Sequence, residues 1–539
     1  MDVREAARAA LGFSSLRPGQ EEAMSAALEG RDVLAVMPTG HGKSALYQVP
    51  AAVLGGVTVV VSPLIALQRD QVRALASHPG VPRPWALNST SSARRLERMW
   101  SSLEAGDPGF VFLAPEQLAR EDVLARLATL AVRLFVVDEA HCISAWGHDF
   151  RPDYLRLGSA VERLGRPRVV ALTATASAPV REEIVERLGL REPVVVVRGF
   201  NRPNIHLDVR REVTDGDKRR DVVECVAALG GRGLLYVGTR KVTTTYAHAL
   251  RERGLRAAAY HGGLKADERR AAHEQFTTGS VDVVVATSAF GMGIDRADVR
   301  FVVHESVPAS PDSYYQEIGR AGRDGEPSSA VLFYRPEDFG VHRFHGAATP
   351  DVDVLRRVFA EVSKDDPGVR LAELRGRLDL PARRVTRAVN LLEQAGALRV
   401  ARSRVSAVAM THQEAVDAAV EVSESAERVE RSRTEMMRGY AETTGCRRRF
   451  LLGYLGETLD DPCGHCDTCE AGLSEAPAPA PEGESFPVDS RVSHRQWGDG
   501  IVLSTESDRL TVLFEREGYR VLSREAVESE QLLTLARPA

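Results

Sequence analysis

Short apolar runs alternate with longer stretches of helical pattern over the first two thirds of the chain. In residues 1–205 the runs lie at 33–36, 57–61, 110–113, 134–137 and 169–172. Strands separated by helices imply a parallel sheet with helices on both of its faces. The pattern therefore predicts an α/β lobe with a doubly wound parallel sheet over residues 1–205.

The same alternation is repeated in residues 206–345. The apolar runs of this second segment lie at 233–237, 257–260, 281–286, 301–304 and 330–334. Two doubly wound lobes in tandem leave a cleft between them, and ligands of such sheets bind at the carboxyl ends of the strands. We expect two doubly wound lobes with a shared cleft.

The pattern changes after residue 350. Residues 369–400 predict a helix, a turn at Pro381, a longer helix and a stop at Gly396, followed by a short strand from Leu398. This order resembles a winged helix, which we place at 350–410. Nine arginines stand against three acidic residues between Arg370 and Arg404. Basic helix-turn-helix surfaces contact phosphates, although a winged helix that only packs against its neighbours is the alternative.

Three further segments complete the chain. Residues 411–470 have a helical pattern that leads into a group of cysteines, and the Pro- and Ala-rich residues 471–485 form a stiff, solvated linker. Residues 486–539 contain short apolar runs between turn residues, which predict a small SH3-like β barrel. Its alternatives are a free module that contacts other proteins and a barrel that docks on its own chain.

Composition excludes few functions. The chain of 539 residues is 43% apolar and 27% charged, which is ordinary for a globular protein of three to five domains. Its net charge of −5 gives no overall sign of a nucleic-acid partner, so such a partner must be argued from local patches. No apolar run approaches the length of a membrane span, and we expect a cytoplasmic protein without membrane contact.

The loop at 37–44, Met-Pro-Thr-Gly-His-Gly-Lys-Ser, joins an apolar run to a predicted helix that begins at Lys43. Such a strand–loop–helix turn points successive backbone N–H groups at one spot, where the helix dipole adds positive charge. Lys43 would reach the outer phosphates of a nucleotide, and the Ser44 hydroxyl would bind Mg²⁺. Met37 stands where the strict motif has glycine, and a surface turn is the alternative.

Lysine usage supports the phosphate site. The chain has five lysines among its 70 basic residues, so a lysine in this loop is unusual. A compact ammonium fits among phosphate oxygens where a planar guanidinium does not. The residues of this loop that we expect to contact ATP are Thr39, Gly40, His41, Gly42, Lys43 and Ser44.

Two adjacent acids, Asp138 and Glu139, directly follow the apolar run 134–137. They should lie at the carboxyl edge of the same sheet as Lys43. Asp138 can hold Mg²⁺, and Glu139 can orient and deprotonate an attacking water. Alone, the pair would be interpreted as a solvated turn; with Lys43 it indicates nucleotide hydrolysis.

The second lobe contributes a pair of arginines. Arg320 and Arg323 are spaced for one face of a helix in the segment 316–325. If they face the phosphates of the first lobe, they complete the site only when the cleft closes, as arginine fingers do. An exposed basic helix is the alternative.

These motifs resemble the RecQ helicases of helicase superfamily two, and the resemblance implies that both lobes are RecA-like. The other matching segments are 16–20 (Leu-Arg-Pro-Gly-Gln), 62–67, 138–154, 171–176, 260–263 and 286–295. The resemblance implies that Phe13 stacks on adenine while Arg17 and Gln20 bond its edge. It also assigns Gly293 and Asp295 to the ATP site, and His141 and Gln316 to catalysis.

The segment 138–154 resembles the aromatic-rich loop of that family. The resemblance implies that Trp146, His148, Phe150 and Arg151 meet single-stranded DNA beside the catalytic acids. Stacking a base on an aromatic ring contributes about 1–3 kcal/mol, comparable to the roughly 1.4 kcal/mol that parting a base-pair step costs. Such a loop could sense DNA and hold opened bases.

Four of the six cysteines, Cys446, Cys463, Cys466 and Cys469, lie close together in the sequence. Their spacing suits a structural tetrahedral zinc ion, and it matches the RecQ zinc module. His465 is a competing ligand. In the common plan of the family the winged helix follows this module, whereas here it precedes it. We expect Cys142 and Cys225 to be ordinary core residues.

The β unit at 486–539 resembles the Tudor- or SH3-like tail of UvrD-type helicases, which implies a contact with a protein partner such as RNA polymerase. The whole chain predicts a monomeric, nucleoid-associated helicase that uses ATP, Mg²⁺ and Zn²⁺. It would move 3′ to 5′ on single-stranded DNA and open tailed or forked duplexes in repair and recombination. The alternatives are an RNA helicase and a DNA-binding clamp for which nucleotide is only a signal.

Overall fold

The computed structural model describes residues 2–78, 80–144, 151–288, 290, 296–340, 350–364, 368–401, 404–474, 486–506 and 508–535. Among the helices in these ranges, none is long and apolar enough to cross a membrane. The description below is confined to these residues.

The first lobe is built on a parallel sheet with strand order β3-β4-β2-β5-β6-β1-β7. Its strands are β1 (Val33–Val36), β2 (Val57–Val61), β3 (Arg83–Leu87), β4 (Gly109–Leu113), β5 (Val132–Val137), β6 (Arg168–Thr173) and β7 (Val194–Val197). The sequence predicted the central strands and missed β3 and β7, which form the two edges. Strand β3 begins with an exposed arginine and a proline, so it lacks the continuous apolar run of a central strand.

Helices cover both faces of this sheet. They are α1 (Val3–Leu11), α2 (Gln20–Leu28), α3 (Ala45–Leu54), α4 (Ile65–Ala76), α5 (Ala93–Glu104), α6 (Pro115–Leu118), α7 (Glu121–Ala128), α8 (Leu157–Arg163) and α9 (Ala178–Leu188). Along β1, Leu34 and Val36 enter one apolar core while Val33 and Ala35 enter the other. This alternation confirms the doubly wound arrangement.

The second lobe is also a parallel sheet, in the order β10-β11-β9-β12-β13-β8. Its strands are β8 (Ile205–Arg211), β9 (Arg232–Tyr236), β10 (Ala257–Tyr260), β11 (Val283–Ala286), β12 (Val299–His304) and β13 (Ser328–Tyr334), and its helices are α10 (Asp215–Leu229), α11 (Arg240–Glu252), α12 (Ala266–Thr278) and α13 (Pro311–Ile318). The missed strand β8 is again an edge strand. Its polar residues alternate with apolar ones, so it has no continuous apolar run.

The described residues between 350 and 410 form the two helices and the strand that the sequence pattern predicts, and a second strand pairs with that one. The elements are α14 (Val352–Val362), β14 (Val369–Arg370), α15 (Leu371–Leu378), α16 (Ala382–Gln394), β15 (Leu398–Ala401) and β16 (Arg404–Ala407). Arg156 of the first lobe pairs with Glu393 of α16 at 3.2 Å, so the unit is tied to the lobe that carries the acids.

The zinc-binding region is helical, with α17 (His412–Glu442), α18 (Arg447–Tyr454) and α19 (Asp467–Glu470). The tail, which we define as residues 486–535, is an antiparallel sheet in the order β20-β19-β18-β17-β21. Its elements are β17 (Arg491–His494), β18 (Gly498–Thr505), β19 (Arg509–Phe514), β20 (Gly518–Ser523), α20 (Arg524–Ser529) and β21 (Leu533–Leu535).

The tail docks on its own chain. Tyr519 of β20 stacks on Tyr454 of α18 with ring centroids 4.6 Å apart, and its backbone N–H donates to the Ser432 hydroxyl of α17 at 2.9 Å. On the other side, Arg491 pairs with Glu182 of α9 at 2.5 Å. The tail therefore contacts both the zinc-binding region and the first lobe, so it is packed against the rest of the chain.

We expect Tyr519→Ala to loosen this docking. Removing a buried aromatic ring lowers the free energy of unfolding by about 3–5 kcal/mol. Here the lost contacts lie at the interface between the tail and the zinc-binding region. Limited proteolysis should then release the tail at the linker faster than in the unaltered protein. Val521→Ala, two residues further along β20 and 49% exposed, is the matched control and should change nothing. Equal cleavage rates in both variants would contradict the docking.

Candidate active site

The loop after β1 has the phosphate-binding shape that its sequence predicts. Gly40 and Gly42 have φ of 81° and 79°, a region that favours glycine, and α3 begins directly after Ser44. Lys43 Nζ donates to the carbonyls of Met37 at 3.0 Å and Pro38 at 3.4 Å. Burial lowers the pKa of Lys43, while the Glu139 and Asp138 carboxylates oppose that shift. The ammonium is thus held beneath the loop, where phosphates would replace weak carbonyl contacts.

Gln71 of α4 positions the Ser44 hydroxyl and was missed from the sequence. Its side-chain N–H donates to Ser44 Oγ at 3.1 Å, and its carbonyl accepts from the Tyr47 hydroxyl at 2.9 Å. Nothing in the spacing from residue 44 to residue 71 signals this contact. Only the tertiary fold brings these side chains of α4 and the phosphate loop together.

The two acids lie at the carboxyl end of β5, as predicted. Burial, together with the neighbouring Glu139 carboxylate, raises the pKa of Asp138 to about 7. Glu139 has φ of 51°, which is uncommon for a residue with a side chain. Two adjacent, half-buried carboxylates are stabilised by a bound cation, so the donor set fits Mg²⁺.

His141 links the acids to the next strand. Its Nδ1 lies 2.9 Å from Thr173 Oγ1 at the end of β6 and 3.4 Å from Glu139 Oε2. Because His141 is buried, its ring has a fixed orientation between the two. The geometry suits a residue that orients Glu139.

The second lobe brings its predicted residues to the same place. Gln316 lies on α13, but Arg320 and Arg323 lie in the turn that follows it, so the prediction of a helical arginine pair was wrong. The helix ends before Gly319, and Gly322 has φ of 57°, which breaks the helical path. A Cβ added to Gly40 would lie 2.9 Å from Arg323 Cγ, so the Arg323 side chain rests on the phosphate loop.

One cleft of about 650 Å³ joins both lobes. It is lined by Lys43, Ser44, Asp138 and Glu139 from the first lobe and by Gln316, Arg320 and Arg323 from the second. A second cavity of about 370 Å³ is lined by Arg151 and by lobe 2 residues, and it shares Gln316 and Arg320 with the first. The two cavities therefore meet at Gln316 of α13 and at Arg320 of the turn that follows it.

The residues predicted to read adenine hold the phosphate loop in this structure. The Arg17 guanidinium donates to the Gly40 carbonyl, and Gln20 Nε2 donates to the carbonyls of His41 at 2.9 Å and Gly42 at 3.1 Å. Phe13 is 38% exposed beside them, where its ring is accessible for stacking. Their role in base recognition stays a prediction.

Several predicted residues fall outside the described ranges. These are Trp146, His148 and Phe150 of the aromatic-rich loop, and Gly293 and Asp295 of the second lobe. Arg151, at the end of that loop, is described: its backbone N–H donates to the Cys142 carbonyl at 2.9 Å, and its guanidinium lies 3.4 Å from the Pro63 carbonyl.

Arg202, in the connection between the lobes, is a further residue that the sequence did not reveal. Its guanidinium donates to the Thr39 carbonyl of the phosphate loop at 3.3 Å. It also donates to three carbonyls of the arginine turn: Gly319 at 3.3 Å, Ala321 at 2.9 Å and Gly322 at 2.9 Å. One side chain therefore fixes the phosphate loop relative to the turn that carries Arg320 and Arg323.

We expect Arg202→Gln to lower kcat for ATP hydrolysis by about 10- to 100-fold, because a misplacement of about 1 Å at a reacting centre has that effect. KM should change far less, since Arg202 is a positioning residue. Arg198→Gln, which removes an exposed pair with Glu22 in the same connection, is the control. A fall in thermal stability with unchanged kcat would show that Arg202 only supports the fold.

The four cysteines form one cluster. Their Sγ atoms all lie within 4.8 Å of one another, and Cys463 Sγ is 3.9 Å from Cys469 Sγ. Zinc–sulfur bonds of about 2.3 Å in a tetrahedron set neighbouring sulfurs about 3.8 Å apart, so the cluster fits Zn²⁺. Cys142 and Cys225 are buried elsewhere, as expected.

Comparison with known proteins agrees with this geometry. Residues 17–184 match the DEAD/DEAH box helicase family and residues 217–325 match the helicase conserved C-terminal domain. Residues 404–470 match the RecQ zinc-binding family. Both lobes thus match helicase domains, and the cysteine cluster falls in the segment that matches a RecQ zinc-binding domain.

The curated relatives that the chain resembles include DNA helicases of the RecQ type. It is 42% identical over 329 residues to the probable ATP-dependent DNA helicase RecS of Bacillus subtilis, covering 61% of this chain and 66% of that protein. It is 33% identical over 462 residues to the ATP-dependent DNA helicase RecQ of Haemophilus influenzae, covering 86% of this chain and 62% of that protein. The chain thus spans slightly less than two thirds of the length of these relatives.

A solved structure shares the fold. The helicase Lhr of Mycobacterium smegmatis superposes with a TM-score of 0.52 at 22% identity, covering 79% of this chain and 62% of that one. At that identity the match supports the two-lobed architecture.

Proposed function

We propose that this chain is an ATP-dependent DNA helicase that couples ATP hydrolysis to 3′-to-5′ movement on single-stranded DNA and to duplex unwinding. The observation that carries the proposal is the cleft in which Lys43 and Glu139 of one lobe face Arg320 and Arg323 of the other. A site completed by two lobes depends on their closure, so hydrolysis and lobe movement are linked.

The residues of the first lobe divide the chemistry among them. Lys43 and the N–H groups of the phosphate loop hold the phosphates of ATP. Ser44 and Asp138 would hold Mg²⁺, which supplies positive charge to the phosphate oxygens when bound. Glu139 takes a proton from the attacking water, and His141 keeps its carboxylate oriented.

The second lobe supplies charge in the transition state. Arg320 and Arg323 extend from the turn after α13 into the cleft, where they stabilise charge that develops on the transferring phosphoryl group. Arg202 holds that turn at a fixed position relative to the phosphate loop, because it donates hydrogen bonds to carbonyls of both. Opening of the cleft after hydrolysis withdraws both arginines together.

DNA would reach this machinery through the second cavity. Arg151 of the first lobe lines this cavity. The cavity shares Gln316 and Arg320 with the ATP cleft. A strand that moves these side chains alters the ATP site directly. We assign Trp146, His148 and Phe150 to stacking on that strand, on the basis of the RecQ-type loop sequence.

The wider assignment follows from the same activity. Its substrates would be tailed and forked DNA duplexes. It would act in DNA repair and recombination, as a cytoplasmic protein associated with the nucleoid. The protein would act as a monomer. The docked tail would present its free side to a protein partner such as RNA polymerase.

The test is unwinding of duplexes that carry a 3′ tail, a 5′ tail or no tail, with ATP and with Glu139→Gln as the inactive control. We expect opening of the 3′-tailed DNA duplex alone. Equal stimulation of ATP hydrolysis by RNA would favour an RNA helicase. ATP-dependent DNA binding without turnover would favour a clamp.

A further inference from the structure

A second group of metal-ligating side chains lies beside the cysteine cluster. It consists of His206 on β8, His465 in the turn between Cys463 and Cys466, and Glu470 at the end of α19. His206 Nε2 is 3.0 Å from Glu470 Oε1, and His465 Nδ1 is 3.9 Å from the same oxygen. One ligand atom from each residue lies within 4.8 Å of the other two.

The backbone holds these three residues near one another. Leu207, next to His206, forms a parallel bridge with Cys466. The Val209 N–H donates to Asp467 at 3.1 Å, and Asp467 in turn pairs with Arg447 at 2.9 Å. Because these contacts flank the group on both chain segments, the ligands are brought together before any ion binds.

We propose that His206, His465 and Glu470 bind a second transition-metal ion of the Zn²⁺ class, separate from the ion of the cysteine cluster. Two imidazoles and one carboxylate suit Zn²⁺ or Co²⁺, whereas Mg²⁺ and Ca²⁺ prefer oxygen ligands. Bonds of about 2.0–2.1 Å in a tetrahedron set ligand atoms about 3.4 Å apart, so a small rotation of the exposed His465 ring completes the set.

The arrangement also explains why His465 is not part of the cysteine cluster. Its backbone N–H donates to Cys463 Sγ at 3.4 Å, while its ring contacts the His206 ring with centroids 5.0 Å apart. The ring thus faces lobe 2. A metal ion here would join β8, at the edge of the lobe 2 sheet, to the zinc-binding region, and the fourth position would open to solvent because Glu470 and His465 are both exposed.

The test is metal stoichiometry of the full-length protein. Protein dialysed against low-micromolar Zn²⁺ should hold about two metal ions per chain, one in each site. His206→Ala and Glu470→Gln should each reduce this to about one while the cysteine ion stays bound. The control is His248→Ala, which removes a histidine paired with Glu252 at 3.4 Å on α11 and should leave both ions in place.

Cobalt distinguishes the two sites. Co²⁺ added to protein that already holds zinc in its cysteines should give a visible absorption band without the strong sulfur-to-metal charge-transfer bands of thiolate ligands. That band should be absent in His206→Ala. One ion per chain in the unaltered protein, equal stoichiometry in all variants, or binding only at millimolar metal would each overturn the proposal. These measurements do not depend on ATP turnover, so they test the second metal site independently of the helicase assignment.

Discussion

Replacing Lys43 by alanine should lower kcat for DNA-stimulated ATP hydrolysis by at least about 10²- to 10³-fold, the loss seen when one charge-stabilising group is removed from an active site. Lys43 is half-buried beneath the phosphate loop, where its Nζ donates to the carbonyls of Met37 and Pro38. No neighbouring lysine can replace it, since the chain has only five. Unwinding should disappear with the ATPase, while binding of single-stranded DNA without nucleotide should persist.

Two controls sharpen this prediction. Lys241→Ala removes an exposed lysine of α11 and should leave kcat unchanged. Lys43→Arg keeps the charge, but its planar guanidinium does not fit among phosphate oxygens, so activity should stay low. DNA-stimulated turnover that survives in Lys43→Ala would show that the phosphate site lies elsewhere.

Replacing Cys466 by serine should unfold the zinc-binding region. Cys466 is fully buried in the cysteine cluster, and structural zinc contributes apparent binding free energies of about 10–16 kcal/mol. The effect should extend beyond the cluster. Arg448 of α18 donates to Asn201 at 3.1 Å and to the Ile205 carbonyl at 2.6 Å, so α18 supports the connection that carries Arg202.

The measurements are zinc content, protease resistance of residues 404–470 and ATPase activity. All three should fall in Cys466→Ser. Cys225→Ser changes a buried cysteine of α10 outside the cluster and should retain zinc. A full zinc complement in Cys466→Ser, or near-zero metal in the freshly purified unaltered protein, would contradict the assignment.

Central strands were predictable because they are buried on both faces. The run 57–61 has only apolar residues and one threonine, and all five positions of β2 are buried. Strand β8 has polar residues at alternate positions because one face meets solvent or the zinc-binding region. Its pairing with β13 depends on a partner more than a hundred residues away, which local pattern does not record.

The candidate active site likewise contains residues that were predictable from local sequence and residues that were not. The phosphate loop and the two acids were predictable because strand ends, glycines and charged residues act within a few positions of one another. Gln71 and Arg202 were not, because each acts on a segment that only packing brings near. Arg320 and Arg323 line the cleft, but the condition under which their spacing puts them on one face, a helical segment, is not met. The helix ends at Ile318, and the left-handed φ of Gly322 keeps the following turn from continuing it.

The sequence by itself determined the two-lobed α/β architecture, the glycine-bent loop at 37–44, the position of the acids at a strand end and the grouping of the four cysteines, because each depends on short-range periodicity or spacing. The tertiary structure alone decided that the tail docks on Tyr454 and reaches Glu182, that Arg202 joins the phosphate loop to the arginine turn, and that His206 lies beside Glu470. Those contacts join residues between 65 and 309 positions apart. They form only when the burial of apolar surface brings the packed elements together.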